Sequence, residues 1–182
     1  FHRFLNEFFC DLDGAITGHG GEIHKYVGDE LIAVWRPGAG KPARFMQARR
    51  ELTATLIRRE QEYRAKYGLV PSFRLGLHAG PAVAGELGDS RKEIAYLGDT
   101  VNTASRILSA CKDFKRTLLL SAEALAVADL PQGFKAVRGG RVVLRGKKKA
   151  VELFGLDPVA LTGALRHGPG KKKRRGKLRG RP

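Results

Sequence analysis

Apolar residues recur at intervals of three and four in three stretches of the chain, which is the pattern of a helix with one buried face. The first stretch runs from Phe1 to Ile16 and ends at a cluster of glycines. The second covers about residues 43–67, with Arg and Glu crowded on its other face. The third opens at Asp99 and continues to about Lys112. The predicted buried stripes are Phe1, Leu5, Phe8, Leu12 and Ile16 in the first helix, Phe45, Ala48, Leu52, Leu56 and Tyr63 in the second, and Val101, Ala104, Leu108 and Cys111 in the third.

Strand-forming residues fill much of the sequence between these helices. The clearest case is residues 23–35, where β-branched and aromatic side chains flank Gly28-Asp29-Glu30 and predict a hairpin with a tight turn. Residues 72–79 alternate like a strand, and the turn at Gly80-Pro81 predicts a second hairpin with residues 82–87. Helices and hairpins mixed in this way within one domain predict an α+β sandwich. Further strands are predicted near residues 92–97, 117–120, 134–138, 141–145 and 151–155, with a short helix at 121–128.

The charge of the chain is strongly positive and unevenly distributed. The 182 residues carry a net charge of +16, and 42% of them are hydrophobic, which is enough for one buried core. The final segment, GPGKKKRRGKLRGRP, holds four Lys and four Arg with no acid. We therefore expect a folded domain over residues 1–157 and a basic, disordered tail over residues 158–182. The tail either attracts an anionic membrane surface or nucleic acid, or is a solvated terminus without a function.

Neither the cysteines nor the hydropathy indicate secretion or a membrane span. Cys10 and Cys111 lie in helix-like apolar patterns without metal-ligand spacing, so both are expected to be reduced core residues of a cytoplasmic protein. No apolar run approaches the ~18 residues of a membrane span, and no signal peptide is present. The chain opens on Phe1 and its only methionine is Met46, which indicates a fragment or a processed product. The parent protein could be membrane-attached through segments that are not in this sequence.

Two places combine polar residues in a way that suits chemistry. Asp29 stands at the tip of the predicted hairpin, where it is either a turn residue or a ligand on an open face. Asn102 and Arg106 are four residues apart near the start of the third helix, so their side chains lie side by side. A guanidinium fits phosphate oxygens, although an ordinary exposed polar face is the simpler interpretation. The segment around Lys41 lacks the leading Gly and the hydroxyl of a phosphate-binding loop, and His78 is expected to be structural.

Three motifs, taken together, give the chain a family resemblance. The segments HKYVGDELIAVW, FRLGLHAGPAVAGELG and YLGDTVNTASRI follow one another in the order and spacing of class III adenylate and guanylate cyclase catalytic domains. The chain resembles this family from Phe1 to about Asp157. The resemblance implies the nucleotide cyclase fold, a ferredoxin-like α/β sandwich with a mixed, mostly antiparallel sheet, here without its N-terminal strand. It also implies an adenylate cyclase that forms cyclic AMP and pyrophosphate from ATP for intracellular signalling.

The resemblance assigns roles to individual residues. Asp29 is similar in position to one of two carboxylates that bind two Mg²⁺ or Mn²⁺ ions. Lys25 matches the residue that reads the purine edge, and lysine there is typical of adenylate cyclases. Asn102 and Arg106 resemble the pair that orients the ribose and stabilises charge on the α-phosphate.

The resemblance extends to the basic segment LRGKKKAVELFGL and to the assembly. Arg145 or Lys147, in that segment, is similar in position to the family's polyphosphate contact. Because the family works as a head-to-tail dimer, a homodimer with shared active sites is expected. In such a dimer Asp29 and Lys25 of one chain serve different sites.

Two departures from the family pattern limit this interpretation. The family's first metal carboxylate lies on a strand before the helix that begins at Phe1, and Asp11 and Asp13 lie too far along that helix to replace it. Ala95 occupies the position where adenylate cyclases usually present Asp, Thr or Ser to the adenine amino group, so base selection would rest on Lys25. A cyclase-like regulatory module that dimerises without turnover therefore stays open. So does nucleic-acid binding, on the charge of the tail alone.

Overall fold

Helices and strands follow one another along the chain nearly as the hydrophobic pattern predicts. The computed structural model describes residues 1–36, 43–87, 93–144 and 150–158. The helices are α1 His2–Gly18, α2 Phe45–Arg58, α3 Glu60–Tyr67, α4 Asp99–Asp113 and α5 Ala122–Ala126. The strands are β1 Glu22–Val27, β2 Glu30–Val34, β3 Leu75–Leu77, β4 Val83–Leu87, β5 Glu93–Leu97, β6 Leu118–Ser121, β7 Phe134–Val142 and β8 Val151–Pro158. The predicted α+β class is confirmed.

The long helix predicted over residues 43–67 is divided into α2 and α3 at Arg59. The backbone there leaves helical geometry, with φ −95° and ψ 7°. The guanidinium of Arg59 reaches across to α1, where it pairs with Glu7 and Asp11. This long-range pairing is invisible in the local pattern, which predicts one continuous helix. The predicted stripe is nevertheless buried on both sides of the division, at Phe45, Ala48, Leu52, Leu56 and Tyr63.

The hairpin predicted at residues 23–35 is confirmed. Strands β1 and β2 pair antiparallel with Val27 opposite Glu30, which leaves a two-residue turn between them. Gly28 adopts the left-handed φ of +64° that such a turn needs at its first central position. The register shifts between Ile23 and Lys25, where β1 contains one extra residue. Asp29 is therefore displayed on a short turn whose backbone is fixed by the ladder behind it.

The second predicted hairpin is wrong. Strand β3 pairs parallel with β6, and β4 pairs antiparallel with β5 instead, so Gly80-Pro81 does not join paired strands. The physical reason lies in β3 itself. A Cβ on Gly76 would stand 2.2 Å from the backbone nitrogen of Leu108, so only glycine lets α4 pack this closely on β3. Leu75 and Leu77 pack against the buried core, which a surface hairpin would not allow.

The central sheet has the strand order β3-β6-β8-β7. Its strand β6 is buried on both faces, because Leu118 and Leu120 belong to one core cluster and Leu119 to another. The two strands predicted at 134–138 and 141–145 form the single strand β7, at least to Val142. Its register with β8 shifts between Arg138 and Gly140, which is where the sequence predicts a break between two strands.

Two predicted stripes are out of phase with the observed burial. On α4 the buried side chains are Thr103, Ile107, Ala110 and Cys111, whereas Val101, Ala104 and Leu108 are only half-buried. The close approach of β3 turns that face of α4 toward a cleft instead of the core. On α1 the stripe holds at Phe8 and Ile16, while Phe1 is 85% exposed. Cys10 is also exposed, so its prediction as a core residue is wrong, and only Cys111 of the two is buried.

Candidate functional site

A cleft of about 690 Å³ lies between β2 and β3. Residues Leu31–Val34 of β2 line one side and Leu75–Leu77 of β3 line the other, with α1, α2 and α4 closing it behind. Within the described residues, β2 pairs only with β1, and β3 pairs only with β6. Each strand therefore presents one unpaired backbone edge next to the cleft. Asp29 is among the lining residues, so the hairpin turn stands at the rim of this cleft.

Asp29 has the donor chemistry of a metal ligand but does not form a complete site with its neighbours. Its side chain is exposed, as is that of Glu30, the first residue of β2. Carboxylate oxygens suit Mg²⁺ and Mn²⁺. Within the described part of the chain, no group of three His, Cys, Asp or Glu side chains is placed to hold a metal ion. Asp29 thus fits the ion's ligand type, and a full ligand set needs groups from elsewhere.

Asn102 and Arg106 lie one turn apart on α4, as their spacing predicts. Asn102 is exposed and Arg106 is half-buried. Neither is among the residues that line the cleft at Asp29. The helix that carries them begins directly after β5, at Gly98, whose φ of +140° is open to glycine but strained for other residues. In a single chain, therefore, the α4 pair and the Asp29 turn do not share a pocket.

Lys25 is exposed on β1, next to the extra residue His24. The neighbouring strand β5 carries Ala95, which is half-buried. A ring contact joins the two strands, because the His24 and Tyr96 rings meet edge to face with centroids 5.2 Å apart. The two residues that the sequence assigns to base recognition, Lys25 and Ala95, are thus the direct chain neighbours of two residues in contact.

Four predicted site residues share an electrostatic property. Lys25, Asp29, Asn102 and Arg106 form no hydrogen bond or ion pair through their side chains with any part of the chain that the structure describes. Several other charged side chains in the described part of the chain are held in pairs, as Arg116 is with Asp157 and Arg138 is with Glu152. Unpaired polar groups at the surface are available to a ligand. The remaining two candidates, Arg145 and Lys147, and the segment around Lys41 lie outside the described residues.

His78 behaves as the structural residue that the sequence predicts. Its Nδ1 lies 2.8 Å from the hydroxyl oxygen of Ser121, which is fully buried. The same hydroxyl accepts a hydrogen bond from the backbone N–H of Ala124 and so caps α5. Glu123, at 3.8 Å, adds a nearby carboxylate. The histidine joins β3 to the start of α5.

One polar cluster next to the site was missed by sequence reasoning. The Tyr96 hydroxyl donates to Glu22 Oε2 at 2.8 Å and accepts from Arg36 Nη2 at 2.6 Å. The hydrogen bond that Arg36 donates to Tyr96, with the charge of Glu22 adding to it, raises the pKa of Arg36 above its usual value. Tyr96 and Glu22 are 74 residues apart, and no local pattern connects them. The one sequence feature that could have pointed to this cluster is the aromatic residue directly after Ala95.

The helices of the described residues, α1 to α5, differ from membrane-spanning helices in length and hydropathy. No helix there is both long enough and apolar enough to cross a bilayer.

Comparison with known proteins identifies relatives along nearly the whole described chain. Residues 1–157 match the family model described as the adenylate and guanylate cyclase catalytic domain. Adenylate cyclase 2 of Rhizobium meliloti is 29% identical over 162 residues, which cover 88% of this chain and 45% of that protein. The receptor-type guanylate cyclase gcy-1 of Caenorhabditis elegans is 30% identical over 151 residues, covering 80% of this chain and 13% of that protein. The chain thus spans less than half the length of either relative.

Solved structures of adenylyl cyclases have the same fold as this chain. The crystal structure of the adenylyl cyclase CyaB from P. aeruginosa superposes with a TM-score of 0.67 at 21% identity, covering 91% of this chain and 83% of that one. At this level of identity the likeness supports the architecture alone. It confirms the predicted cyclase fold, with its mixed and mostly antiparallel sheet. The family match over residues 1–157, together with this fold, places the chain in the family of adenylate and guanylate cyclase catalytic domains.

Proposed function

We propose that this chain is the catalytic domain of an adenylate cyclase, which converts ATP to 3′,5′-cyclic AMP and pyrophosphate. The observation that carries the proposal is the set of four unpaired side chains at the family's motif positions. Lys25 and Asp29 stand on one hairpin, and Asn102 and Arg106 stand on one helix face. Relatives named as adenylate cyclases and as guanylate cyclases have nearly the same identity to the chain, 29% and 30%. The preference for ATP therefore rests on Lys25.

Lys25 favours adenine for a reason of hydrogen-bond chemistry. An ammonium group carries only donors. The N1 atom of adenine is an acceptor, whereas the same position of guanine carries a hydrogen and donates. A lysine aimed at this edge therefore gains a hydrogen bond from adenine and meets a second donor in guanine. Ala95, with no polar atom, adds nothing to this discrimination.

The reaction needs the ribose 3′-oxygen to attack the α-phosphorus in line as pyrophosphate leaves. Asn102 would hydrogen-bond the sugar and hold the 3′-oxygen in the attacking position. Arg106 would direct its fixed fork of donors at the oxygens on which negative charge develops. Arg145 or Lys147 would neutralise the polyphosphate. Divalent ions, when bound at Asp29 and a second carboxylate, would lower the pKa of the ribose hydroxyl and neutralise the leaving oxygens.

Asp29 and the pair on α4 do not line the same cleft within one chain, which supports a site shared between two chains. Asp29 lines the cleft beside β2, whereas Asn102 and Arg106 do not. In a two-fold dimer, each site would combine Asp29 of one chain with Lys25, Asn102 and Arg106 of its partner. The β4–β5 hairpin offers apolar surface for such an assembly. Val83 and Leu97 are paired across it and are 69% and 50% exposed.

The tail and the domain boundary enter the proposal separately. Strand β8 ends at Pro158, which is consistent with a catalytic domain over residues 1–157. We propose that residues 158–182 are a basic appendage with no part in catalysis. Their charge would give weak, salt-sensitive attraction to anionic lipid or nucleic acid.

The proposal is tested by turnover of the full-length protein with ATP or GTP and Mg²⁺ or Mn²⁺. Asp29→Asn should lower cyclic AMP formation by ~10² or more, since one metal ligand is lost. Glu30→Gln is the matched control, because Glu30 is the next residue in the chain and an exposed carboxylate, but does not hold the position that resembles the family's metal ligand. Equal activity of Asp29→Asn and the parent would show that Asp29 is only a turn residue.

A regulatory module without turnover is the second candidate. It is favoured by the absence, among the described residues, of a group of three His, Cys, Asp or Glu side chains that could hold a metal ion, and by Ala95. The same assays separate it from the first. Nucleotide binding by the full-length protein, with no cyclic product from either ATP or GTP, would support the regulatory role and reject the catalytic one.

A further inference from the structure

The Tyr96 hydroxyl ties together three segments that are distant in sequence. It bonds to Glu22 at the start of β1 and to Arg36, which follows β2 closely, while Tyr96 itself belongs to β5. Arg36 also bonds to Glu22, at 3.3 Å, and lies 5.8 Å from the centre of the Tyr96 ring. The tie therefore holds the base of the β1–β2 hairpin against β5.

The tie involves Tyr96, which directly follows Ala95 on β5 and contacts the residue before Lys25 on β1. Successive side chains of a strand point to opposite faces, so Tyr96 and Ala95 project from opposite sides of β5. On β1, the ring that contacts Tyr96 belongs to His24, and Lys25 follows it immediately. His24 also marks the extra residue in β1, and such bulges re-aim neighbouring side chains. The His24–Tyr96 contact and the hydroxyl bonds thus join β1 to β5 at residues adjacent in the chain to Lys25 and Ala95.

We infer that Tyr96 is a positioning residue for purine discrimination, acting through the spacing of β1 and β5. The inference rests on the proposed function, because it presumes that Lys25 and Ala95 meet the base. Ala95 provides no hydrogen bond to the base, so selection depends on where the Lys25 ammonium stands. A displacement of the order of 1 Å is enough to lose a well-directed hydrogen bond.

The hydroxyl is the critical atom of the cluster. The side chains of Arg36 and Glu22 are 64% and 55% exposed, so their direct ion pair contributes little in water. Tyr96 is half-buried, and its hydroxyl is bonded on both sides to charged groups, which strengthens both bonds. Removing the hydroxyl while keeping the ring would loosen the strands and leave the His24 contact in place.

The test compares Tyr96→Phe with Tyr67→Phe in the full-length protein. Tyr67 is the matched control, because its hydroxyl also bonds to a carboxylate, Glu7 at 2.6 Å, but on α3 and away from the hairpins. Affinities for 3′-deoxy-ATP and 3′-deoxy-GTP are measured by calorimetry, since neither analogue has the attacking hydroxyl. Tyr96→Phe should reduce the preference for the adenine analogue about threefold to tenfold. Tyr67→Phe should leave this ratio unchanged.

The ratio of the two affinities distinguishes a positioning role of Tyr96 from general damage to the fold. If Tyr96 had a merely structural role, Tyr96→Phe would weaken the binding of both analogues equally. An unchanged ratio of the affinities for 3′-deoxy-ATP and 3′-deoxy-GTP in Tyr96→Phe would therefore overturn the inference. A parent protein that binds both analogues equally would overturn it too, because there would be no discrimination to lose. Binding of neither analogue by the parent would reject the proposed function along with the inference. A changed ratio with unchanged circular dichroism and melting temperature is the supporting result.

Discussion

Two polar regions of this molecule treat their charged groups in opposite ways. At the joint between α1 and α3, Arg59 pairs with Glu7 and Asp11, and Glu7 also accepts hydrogen bonds from Lys66 and Tyr67 at 2.6 Å each. At the candidate site, the side chains of Lys25, Asp29, Asn102 and Arg106 have no partner among the described residues. The list of charged residues is similar in the two places, but the pairing differs.

The difference separates charges that support the fold from charges that are available to a ligand. The joint is partly shielded from water, with Glu7 and Asp11 only 17% and 12% exposed, so its groups need partners there. The site residues are exposed or half-buried and need none in the absence of a ligand. This contrast predicts that substitutions in one region change turnover and those in the other change stability.

The largest expected effect is that of Arg106→Ala on turnover. Arg106 should meet charge that develops on the α-phosphate, so its loss should lower kcat by ~10²–10³ while KM changes little. Steady-state kinetics of the full-length protein measure both. Arg64→Ala is the control, because Arg64 is 62% exposed and paired only with Glu60 on its own helix. A rise in KM with kcat unchanged would mean that Arg106 binds the ground state and transition state alike.

Mixing two inactive variants tests whether the candidate site combines residues from two chains. Asp29→Asn and Arg106→Ala chains should each be inactive, but a heterodimer would contain one site with neither defect. Random association of equal amounts should restore about one quarter of parental activity, since half the dimers are mixed and each has one intact site. Turnover after co-refolding or co-expression measures it. No recovery from chains that fold and associate would place both residues in the same chain's site.

How far sequence reasoning reached can be seen from particular elements. The hairpin at Asp29 and the stripe of α2 and α3 were predictable because a turn and an amphipathic helix are local patterns. The pairing of β3 was not, because it joins Leu75 to Leu118 in parallel and depends on the close approach at Gly76. The prediction of which face of α4 is buried was wrong for the same reason, since that face depends on the close approach of β3.

The candidate site shows the same limit. Asp29 stood out at a hairpin turn and Asn102 and Arg106 at a helical spacing, whereas Lys25 and the roles of all four came from the resemblance of three motifs to the cyclase family. The Tyr96 tie was missed because Glu22 and Tyr96 are 74 residues apart and an exposed glutamate carries no local signal. Long-range geometry has to be observed, whereas local chemistry can be inferred.

A smaller effect, on stability, is expected at the joint when the pH falls. Hydrogen bonds from Lys66 and Tyr67, and then from Arg59, lower the pKa of Glu7 from 4.5 to about 2. A carboxyl with a lowered pKa stabilises the fold above its unfolded pKa, and this contribution is lost as the pH falls from about 4.5 toward 2. Glu7→Gln should therefore melt at a lower temperature than the parent at pH 7, and the gap should narrow on acidification.

Melting curves followed by circular dichroism between pH 7 and pH 2 test this expectation. Glu60→Gln is the control, since Glu60 is 47% exposed and pairs only with Arg64 on its own helix. Its curve should follow that of the parent. If the Glu7→Gln curve also runs parallel to the parent at every pH, the joint's carboxylate is not the source of acid sensitivity. The conclusion that the paired charges of the joint support the fold would then be wrong.

The smallest effect on the folded domain is expected from deleting residues 168–182. This segment contains eight Lys and Arg with Leu178 as its only large apolar residue, so its sequence has almost nothing to contribute to a core. The deletion should leave the melting temperature and kcat unchanged, and should weaken retention on anionic vesicles or DNA in a salt-dependent manner. Comparing vesicles with DNA at matched ionic strength shows which surface the segment prefers. A fall in melting temperature of several degrees would mean that these charges are paired with the domain, as at the α1–α3 joint, and belong to the structural class. Unchanged stability with lost retention would place them with the charges that are available to a ligand.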